Sequence, residues 1–71
     1  KYKGVQLNKE VHKDVIINII DSFKENGYFI NGLTYSPIKG GNGNIEYLAY
    51  FRRDTFKEIN IDSVINDAFK L

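Results

Sequence analysis

The 71-residue sequence contains no cysteine, no methionine and no tryptophan, and it has one proline and one histidine. Without cysteine the chain can form no disulfide and no zinc site with thiolate ligands, and it fits a reducing compartment. Because His12 is the single histidine, a metal centre built from several histidines is also excluded. The absence of methionine predicts either a processed start or a piece of a longer polypeptide.

Long apolar runs and strong charge are also absent. No run approaches the roughly 20 residues of a membrane-spanning helix, and no signal-peptide pattern is present. The net charge is +1, so any contact with nucleic acid has to be local. With 42% hydrophobic and 27% charged residues, the composition is typical of one globular unit with a thin core.

Hydrophobic periodicity predicts an α/β fold with the order helix, strand, strand, helix. Asn8 can begin the first helix and Gly27 can end it, while Pro37 ends the first strand. The two strands pair most simply as an antiparallel hairpin. The expected elements are a helix at about 9–26, strands at about 28–35 and 45–52, and a helix at about 61–70.

The second predicted strand is apolar on both faces, apart from Glu46. Two apolar faces are typical of a strand inside an α/β sheet that helices cover on both sides. We therefore expect the hairpin to be the edge of a larger sheet whose other strands lie elsewhere, or to be covered by dimerisation. The alternating sets are Ile45, Tyr47, Ala49 and Phe51 on one face and Glu46, Leu48 and Tyr50 on the other.

Glu46 is unusual because strand interiors disfavour glutamate and an unpaired buried carboxylate is costly. It must lie at an exposed edge, pair with a cation or work in a site, and composition alone favours the exposed edge. The preceding loop, KGGNGN from Lys39 to Asn44, could bring backbone amides and a lysine to a phosphate. Its spacing matches no Walker or dinucleotide-binding loop, so spacing alone favours a turn.

Basic residues lie near aromatic ones, a combination that can bind nucleic acid, although aromatic residues in so small a chain are more often core. His12 follows Lys9 near the start of the first helix, so we expect it at the surface with no catalytic role. No Ser/His/Asp set or carboxylate pair can be assigned. The basic residues are Lys1, Lys3, Lys39, Arg52 and Arg53.

The stretch GLTYSPIKGGNGNIEYLAYFRR resembles the C-terminal part of the hemolysin-A-type (TlyA) proteins, FtsJ-like ribosomal-RNA 2′-O-methyltransferases. Their pattern is approximately G-L-T-x-S-P-I-K-G-x-x-G-N-x-E-x-L. The lead-in KGVQLNKEVHKDVI is similar to K-G-V-V-R-D-x-x-V-H-x-x-V-I, with departures at Gln6, Leu7 and Asn8, and IDSVINDAFKL is similar to a closing acidic helix. The central matches are Gly32, Leu33, Thr34, Ser36, Pro37, Ile38, Lys39, Gly40, Gly43, Asn44, Glu46 and Leu48.

The resemblance implies that the hairpin forms the C-terminal edge of a Rossmann-like methyltransferase sheet, with residues 1–71 as one segment of that domain. The S-adenosylmethionine loop and an S4-like RNA-binding domain would lie upstream. The segment alone would then bind no cofactor and be inactive. It implies a cytoplasmic protein whose partners are ribosomal RNA or a ribosomal subunit and the missing N-terminal part, with no membrane.

The same resemblance implies the site residues. Glu46 falls where the glutamate of a Lys-Asp-Lys-Glu catalytic tetrad lies, and its role would be to position the lysine that helps deprotonate the ribose 2′-hydroxyl. Lys39, Gly40, Gly43 and Asn44 would lie at the rim, where RNA phosphate approaches. Two alternatives are a small RNA- or protein-binding module and a membrane-active hemolysin; the lack of an apolar span and of a strongly cationic helix opposes the latter.

Overall fold

The computed structural model describes residues 8–71, apart from the side chain of Asn42. The lead-in with Lys1 and Lys3 lies outside the described residues. The predicted α/β order of helix, strand, strand and helix is confirmed. The elements are α1 (Lys9–Glu25), β1 (Phe29–Tyr35), a single turn of 3-10 helix (Gly41–Gly43), β2 (Tyr47–Arg52) and α2 (Ile61–Ala68).

Both helices begin at asparagine caps. The side chain of Asn8 accepts a hydrogen bond from the Glu10 amide at 2.8 Å, and that of Asn60 accepts one from the Ser63 amide at 3.0 Å. Each bond satisfies an amide that has no partner inside its helix. α1 ends because Gly27 adopts a left-handed conformation with φ of 85°, which glycine tolerates without strain.

β1 and β2 pair antiparallel, from Phe29 opposite Arg52 to Tyr35 opposite Tyr47. β2 begins later than the expected 45–52, so Glu46 precedes the strand and does not lie inside it. β2 begins late because the turn of the loop continues up to this point, and the chain joins the strand pairing only after it. The amide of Ser36 still donates to the Glu46 carbonyl at 2.7 Å and closes the hairpin there.

Asn31 interrupts the pairing as a β-bulge between Ile30 and Gly32. Its buried side-chain amide donates to the Thr55 carbonyl at 2.8 Å, and the Thr55 hydroxyl donates to its Oδ1 at 2.9 Å. The Lys57 amide adds a bond to the Ile30 carbonyl at 3.1 Å. The segment after β2 therefore lines the outer edge of β1, while within residues 8–71 the outer edge of β2 has no strand beside it.

The core lies where the two helices meet each other and the hairpin. Its buried apolar side chains are Ile16, Ile30, Ile65 and Ala68. Phe51 of β2 faces the helices and stacks on Phe23 with ring centroids 4.1 Å apart. On the opposite face Leu48 and Tyr50 are 58% and 57% exposed. Of the two apolar faces that the sequence predicts, the described residues therefore cover one.

Candidate functional site at the hairpin loop

The loop between the strands is held together by its own backbone. The amide of Gly40 donates to the Asn44 carbonyl at 2.7 Å, and the amides of Gly43 and Asn44 donate to the carbonyls of Gly40 and Gly41. Gly43 has a φ of 73°, a left-handed conformation that favours glycine. These three amides are used inside the turn, so a phosphate would meet the Lys39 ammonium in preference to them.

The start of the loop is fixed by Ser36. Its hydroxyl donates to the Ile38 carbonyl at 3.0 Å and lies 3.3 Å from the Ile38 amide, a short-range arrangement that holds Pro37 in the turn. Ile38 and Lys39 then project from the hairpin, and Ile38 is 75% exposed. The loop therefore presents one cation and one apolar side chain at the hairpin tip.

The Glu46 side chain packs against Gly40. A β-carbon placed on Gly40 would lie 2.9 Å from Cδ and 3.3 Å from Cγ of Glu46, and still closer to one carboxylate oxygen. Gly40 is half-buried beneath this side chain, while Glu46 itself is exposed. The structure thus brings together two of the sequence-predicted site residues and presents the carboxylate to solvent beside the loop.

Within residues 8–71 no cation is paired with Glu46. The ion pairs there join Lys13 to Asp62, Arg52 to Asp54 and Lys70 to Asp67. Lys39 is exposed and makes neither an ion pair nor a hydrogen bond with Glu46 in this part of the chain. The same residues contain no cluster of side chains that could hold a metal ion. No cation among these residues therefore neutralises the Glu46 carboxylate.

The other basic residues lie at the opposite end of the hairpin. Arg52 pairs with Phe29, at the end of the sheet remote from the loop, and forks onto the Asp54 carboxylate with bonds of 2.8 and 2.9 Å. These hydrogen bonds hold the pKa of Asp54 below its ordinary value. Arg53 lies over the Tyr28 ring at 5.2 Å. The structure does not bring either arginine to Lys39, so these three basic residues, which lie among the described ones, form no single patch.

The prediction that His12 lies at the surface is wrong. It is 9% exposed, and its Nδ1 lies 2.8 Å from the Tyr47 hydroxyl, within a hydrogen bond. Its ring also meets the Tyr47 and Phe69 rings edge-on, at 5.6 and 4.9 Å. The signal for this burial is helical spacing, because His12 lies one turn before the core residue Ile16. Burial raises the pKa of the Tyr47 hydroxyl above its ordinary value.

Comparison with known proteins finds similar chains, although no family model matches this chain. The chain is 44% identical over 48 residues to the "Putative rRNA methyltransferase YqxC" of Bacillus subtilis (strain 168). The matched segment covers 68% of this chain and 17% of that protein. It superposes with a TM-score of 0.82 and 33% identity on the crystal structure of a "putative hemolysin" from Lactococcus lactis. That match covers 89% of this chain and 32% of the other.

The chain thus spans a minor part of each relative that it matches. One relative is named as an rRNA methyltransferase and the other as a hemolysin, and the family that the sequence motif resembles carries both descriptions. Both matches extend over most of the present chain, and the structural match includes the fold as well as the sequence. The resemblance to a C-terminal segment of this group of proteins is confirmed. No helix of the described residues is long and apolar enough to cross a membrane.

Proposed function

We propose that this chain, a C-terminal segment of the hemolysin-A-type, FtsJ-like proteins, completes a ribosomal-RNA 2′-O-ribose methyltransferase that uses S-adenosylmethionine. The observation that carries the proposal is the Glu46 carboxylate. It lies exposed against Gly40 at the mouth of the loop, and no cation among residues 8–71 neutralises it. The relative named as an rRNA methyltransferase supports the reaction type.

In this proposal Glu46 works through a lysine supplied by another part of the protein. A carboxylate accepts a hydrogen bond from a neighbouring lysine and so orients its nitrogen. The lysine, as a neutral amine, would take the proton from a ribose 2′-hydroxyl, and the carboxylate would then stabilise the ammonium that forms. Lys39 would contact an RNA phosphate from the loop tip, while Gly40, Gly43 and Asn44 give the loop its shape.

The cofactor would be held outside this chain. Sites for nucleotide-containing cofactors in such sheets use a glycine-rich turn from a strand into a helix. The glycine-rich loop here joins two antiparallel strands, and the amides of Gly40, Gly43 and Asn44 are bonded within it. The described residues therefore do not fit the cofactor, and the chain alone is expected to be inactive. S-adenosylmethionine would supply the methyl group from the upstream part.

The remaining sheet would join along the outer edge of β2. The outer edge of β1 is occupied by the bonds from Thr55 and Lys57, whereas the described residues place no strand beside the other edge of β2. The uncovered face with Leu48 and Tyr50 would then be buried by the rest of the domain. We propose ribosomal RNA as the substrate, within the cytoplasm.

The test is Glu46→Gln in the longer protein, assayed for methyl transfer to ribosomal RNA. Glutamine keeps the shape and removes the charge, so turnover should fall roughly 10²-fold, the lower end of what positioned acid–base groups contribute. Binding of S-adenosylmethionine should not change. Glu58→Gln, an equally exposed carboxylate on the segment after β2, is the matched control. Normal turnover in Glu46→Gln would remove Glu46 from the reaction.

A further inference from the structure

Two polar side chains, His12 and Asn31, are buried among the described residues. Asn31 is explained by the bulge, where its amide bonds to the segment after β2. The His12 ring lies at the junction of α1 with β2 and the end of α2. There it meets the hydroxyl of Tyr47 and the ring of Phe69.

Tyr47 is the first residue of β2 and directly follows Glu46. The Tyr47 side chain turns inward to His12, whereas the side chain of Glu46, the residue before the strand, lies against Gly40 of the loop. The backbone between them is held at two points. The Ser36 amide bonds to the Glu46 carbonyl at 2.7 Å, and the Tyr47 hydroxyl bonds to His12 at 2.8 Å.

We propose that His12 is a positioning residue for Glu46. Through the Tyr47 hydroxyl it fixes where β2 begins, and with it the direction in which the Glu46 carboxylate leaves the chain. The contact between Glu46 and Gly40 is the geometric result of that arrangement. The consequence for catalysis rests on the function proposed above for Glu46; the consequence for geometry does not.

The hydrogen bond between His12 and Tyr47 fixes the position of the Tyr47 side chain in a way that packing alone cannot. The ring contacts of His12 with Tyr47 and Phe69 could be made by any aromatic side chain, and such contacts tolerate sliding. Leaving a partly buried hydroxyl without its partner costs free energy, so the Tyr47 hydroxyl holds one position relative to His12. The bond can form with the hydroxyl as donor or as acceptor, depending on the tautomer of the imidazole.

The geometric test uses the 71-residue chain and three variants. Tyr47→Phe removes the hydroxyl alone. His12→Phe keeps an aromatic ring but removes Nδ1, whereas His12→Asn places a polar atom close to the Nδ1 position and gives up the ring packing. The probe is the nuclear Overhauser contact between the Gly40 Hα and Glu46 Hγ protons. We expect its loss in Tyr47→Phe and His12→Phe and its retention in His12→Asn.

Thermal stability separates positioning from simple packing. His12→Phe should melt at a higher temperature than His12→Asn, since it keeps the contacts with the two rings, yet it should lose the contact that His12→Asn keeps. The proposal is supported if His12→Phe is the more stable of these two variants and His12→Asn is the one that keeps the Gly40–Glu46 contact. If the Gly40–Glu46 contact survives in both Tyr47→Phe and His12→Phe, or if it follows stability in all three variants, the proposal is overturned.

Turnover in the longer protein tests the catalytic consequence. Tyr47→Phe should lower kcat by roughly 10-fold, because a catalytic group is modestly misplaced, and it should leave KM for RNA unchanged. His12→Asn should restore most of the rate that His12→Phe loses. If Glu46→Gln leaves turnover normal while the Overhauser pattern is as expected, the function proposed for Glu46 fails and the positioning role of His12 stands. If Glu46→Gln is slow but the Gly40–Glu46 contact is unchanged in Tyr47→Phe and His12→Phe, the role of His12 is overturned and the function proposed for Glu46 stands.

Discussion

The carboxylate of Glu46 lies so close to Gly40 that no other residue fits at position 40 without moving it. Gly40 has a φ of −74°, which any residue adopts, so its glycine is required for space and not for conformation. Gly43 differs, because its φ of 73° makes glycine favourable while nothing lies within 4 Å of a β-carbon there. Gly40 and Gly43 are therefore glycine for separate reasons, and only Gly40 contacts the Glu46 side chain of the candidate site.

Gly40→Ala should displace the Glu46 side chain without unfolding the chain. The added methyl group meets the end of a flexible, exposed side chain, which can rotate away, so the loss of stability should be under about 1 kcal/mol. Nuclear magnetic resonance should show a shifted Glu46 carboxyl signal. Denaturation should show a nearly unchanged midpoint. Gly41→Ala is the matched control, because a β-carbon there meets nothing and φ is not positive. An unmoved Glu46 signal in Gly40→Ala would contradict the contact.

The uncovered sheet face should make the isolated chain self-associate. Leu48 and Tyr50 are more than half exposed on the face away from the helices, beside the edge of β2 that has no neighbouring strand among residues 8–71. Leu48→Lys should shift the sedimentation profile toward monomer at high micromolar concentration. Ile38→Lys makes the same kind of change on the loop, where the side chain is also exposed, and should leave association unchanged. A wild-type chain that stays monomeric throughout this range would refute the expectation.

Local features could be predicted from the sequence because they depend on residues close together in the chain. The apolar stripe of α1, the left-handed Gly27 and the antiparallel pairing through a glycine-rich turn all belong to this class. The start of β2 is harder to predict, since it depends on the hydrogen bonds within the loop and on the bond between Tyr47 and the distant His12. That difference of two residues moves Glu46 from a strand to the end of a turn.

The site itself depends on distant residues. His12 is buried because Tyr47, 35 residues further on, and Phe69 near the end of the chain close over it. Charged neighbours such as Lys9 suggest a surface position, yet Lys9 reaches outward to Asn66 and over the Phe69 ring while the imidazole turns inward. The contact of Glu46 with Gly40 likewise depends on the loop conformation and on the position of Tyr47, which glycine content alone does not specify.

Asn31→Ala should be among the more destabilising single changes to the polar residues. It removes the amide that bonds the Thr55 carbonyl and leaves the Thr55 hydroxyl without its acceptor. Leaving such partly buried groups unsatisfied costs about 1–3 kcal/mol. Urea denaturation should show this loss as a lower midpoint. Asn18→Ala, an exposed asparagine on α1, is the control and should change stability little. Equal midpoints for the two variants would mean that the bulge does not hold the segment after β2.

Alkaline pH should weaken the folded chain through Tyr47. Burial raises the pKa of its hydroxyl in the folded state, so above the ordinary tyrosine value of about 10 the unfolded chain loses this proton first. The folded state then binds more protons, and stability falls as pH rises through the folded pKa. Denaturation followed from neutral to alkaline pH should show the fall, and Tyr47→Phe should reduce it. Tyr50→Phe, which alters an exposed tyrosine on the other face, should leave the fall in place.

Lys39 should contribute to RNA affinity and not to chemistry. It lies exposed at the loop tip, among the described residues it forms no ion pair, and the neighbouring amides are bonded within the turn. A phosphate contact of this kind releases counterions, so Lys39→Ala in the longer protein should weaken binding and reduce the slope of log K against log salt by about 1. The single-turnover rate at saturating RNA should stay near normal. Lys24→Ala removes another exposed charge, from the last turn of α1, and should leave the slope unchanged. A rate defect in Lys39→Ala at saturating RNA would place this lysine in the reaction, and an unchanged salt slope would remove it from the RNA interface.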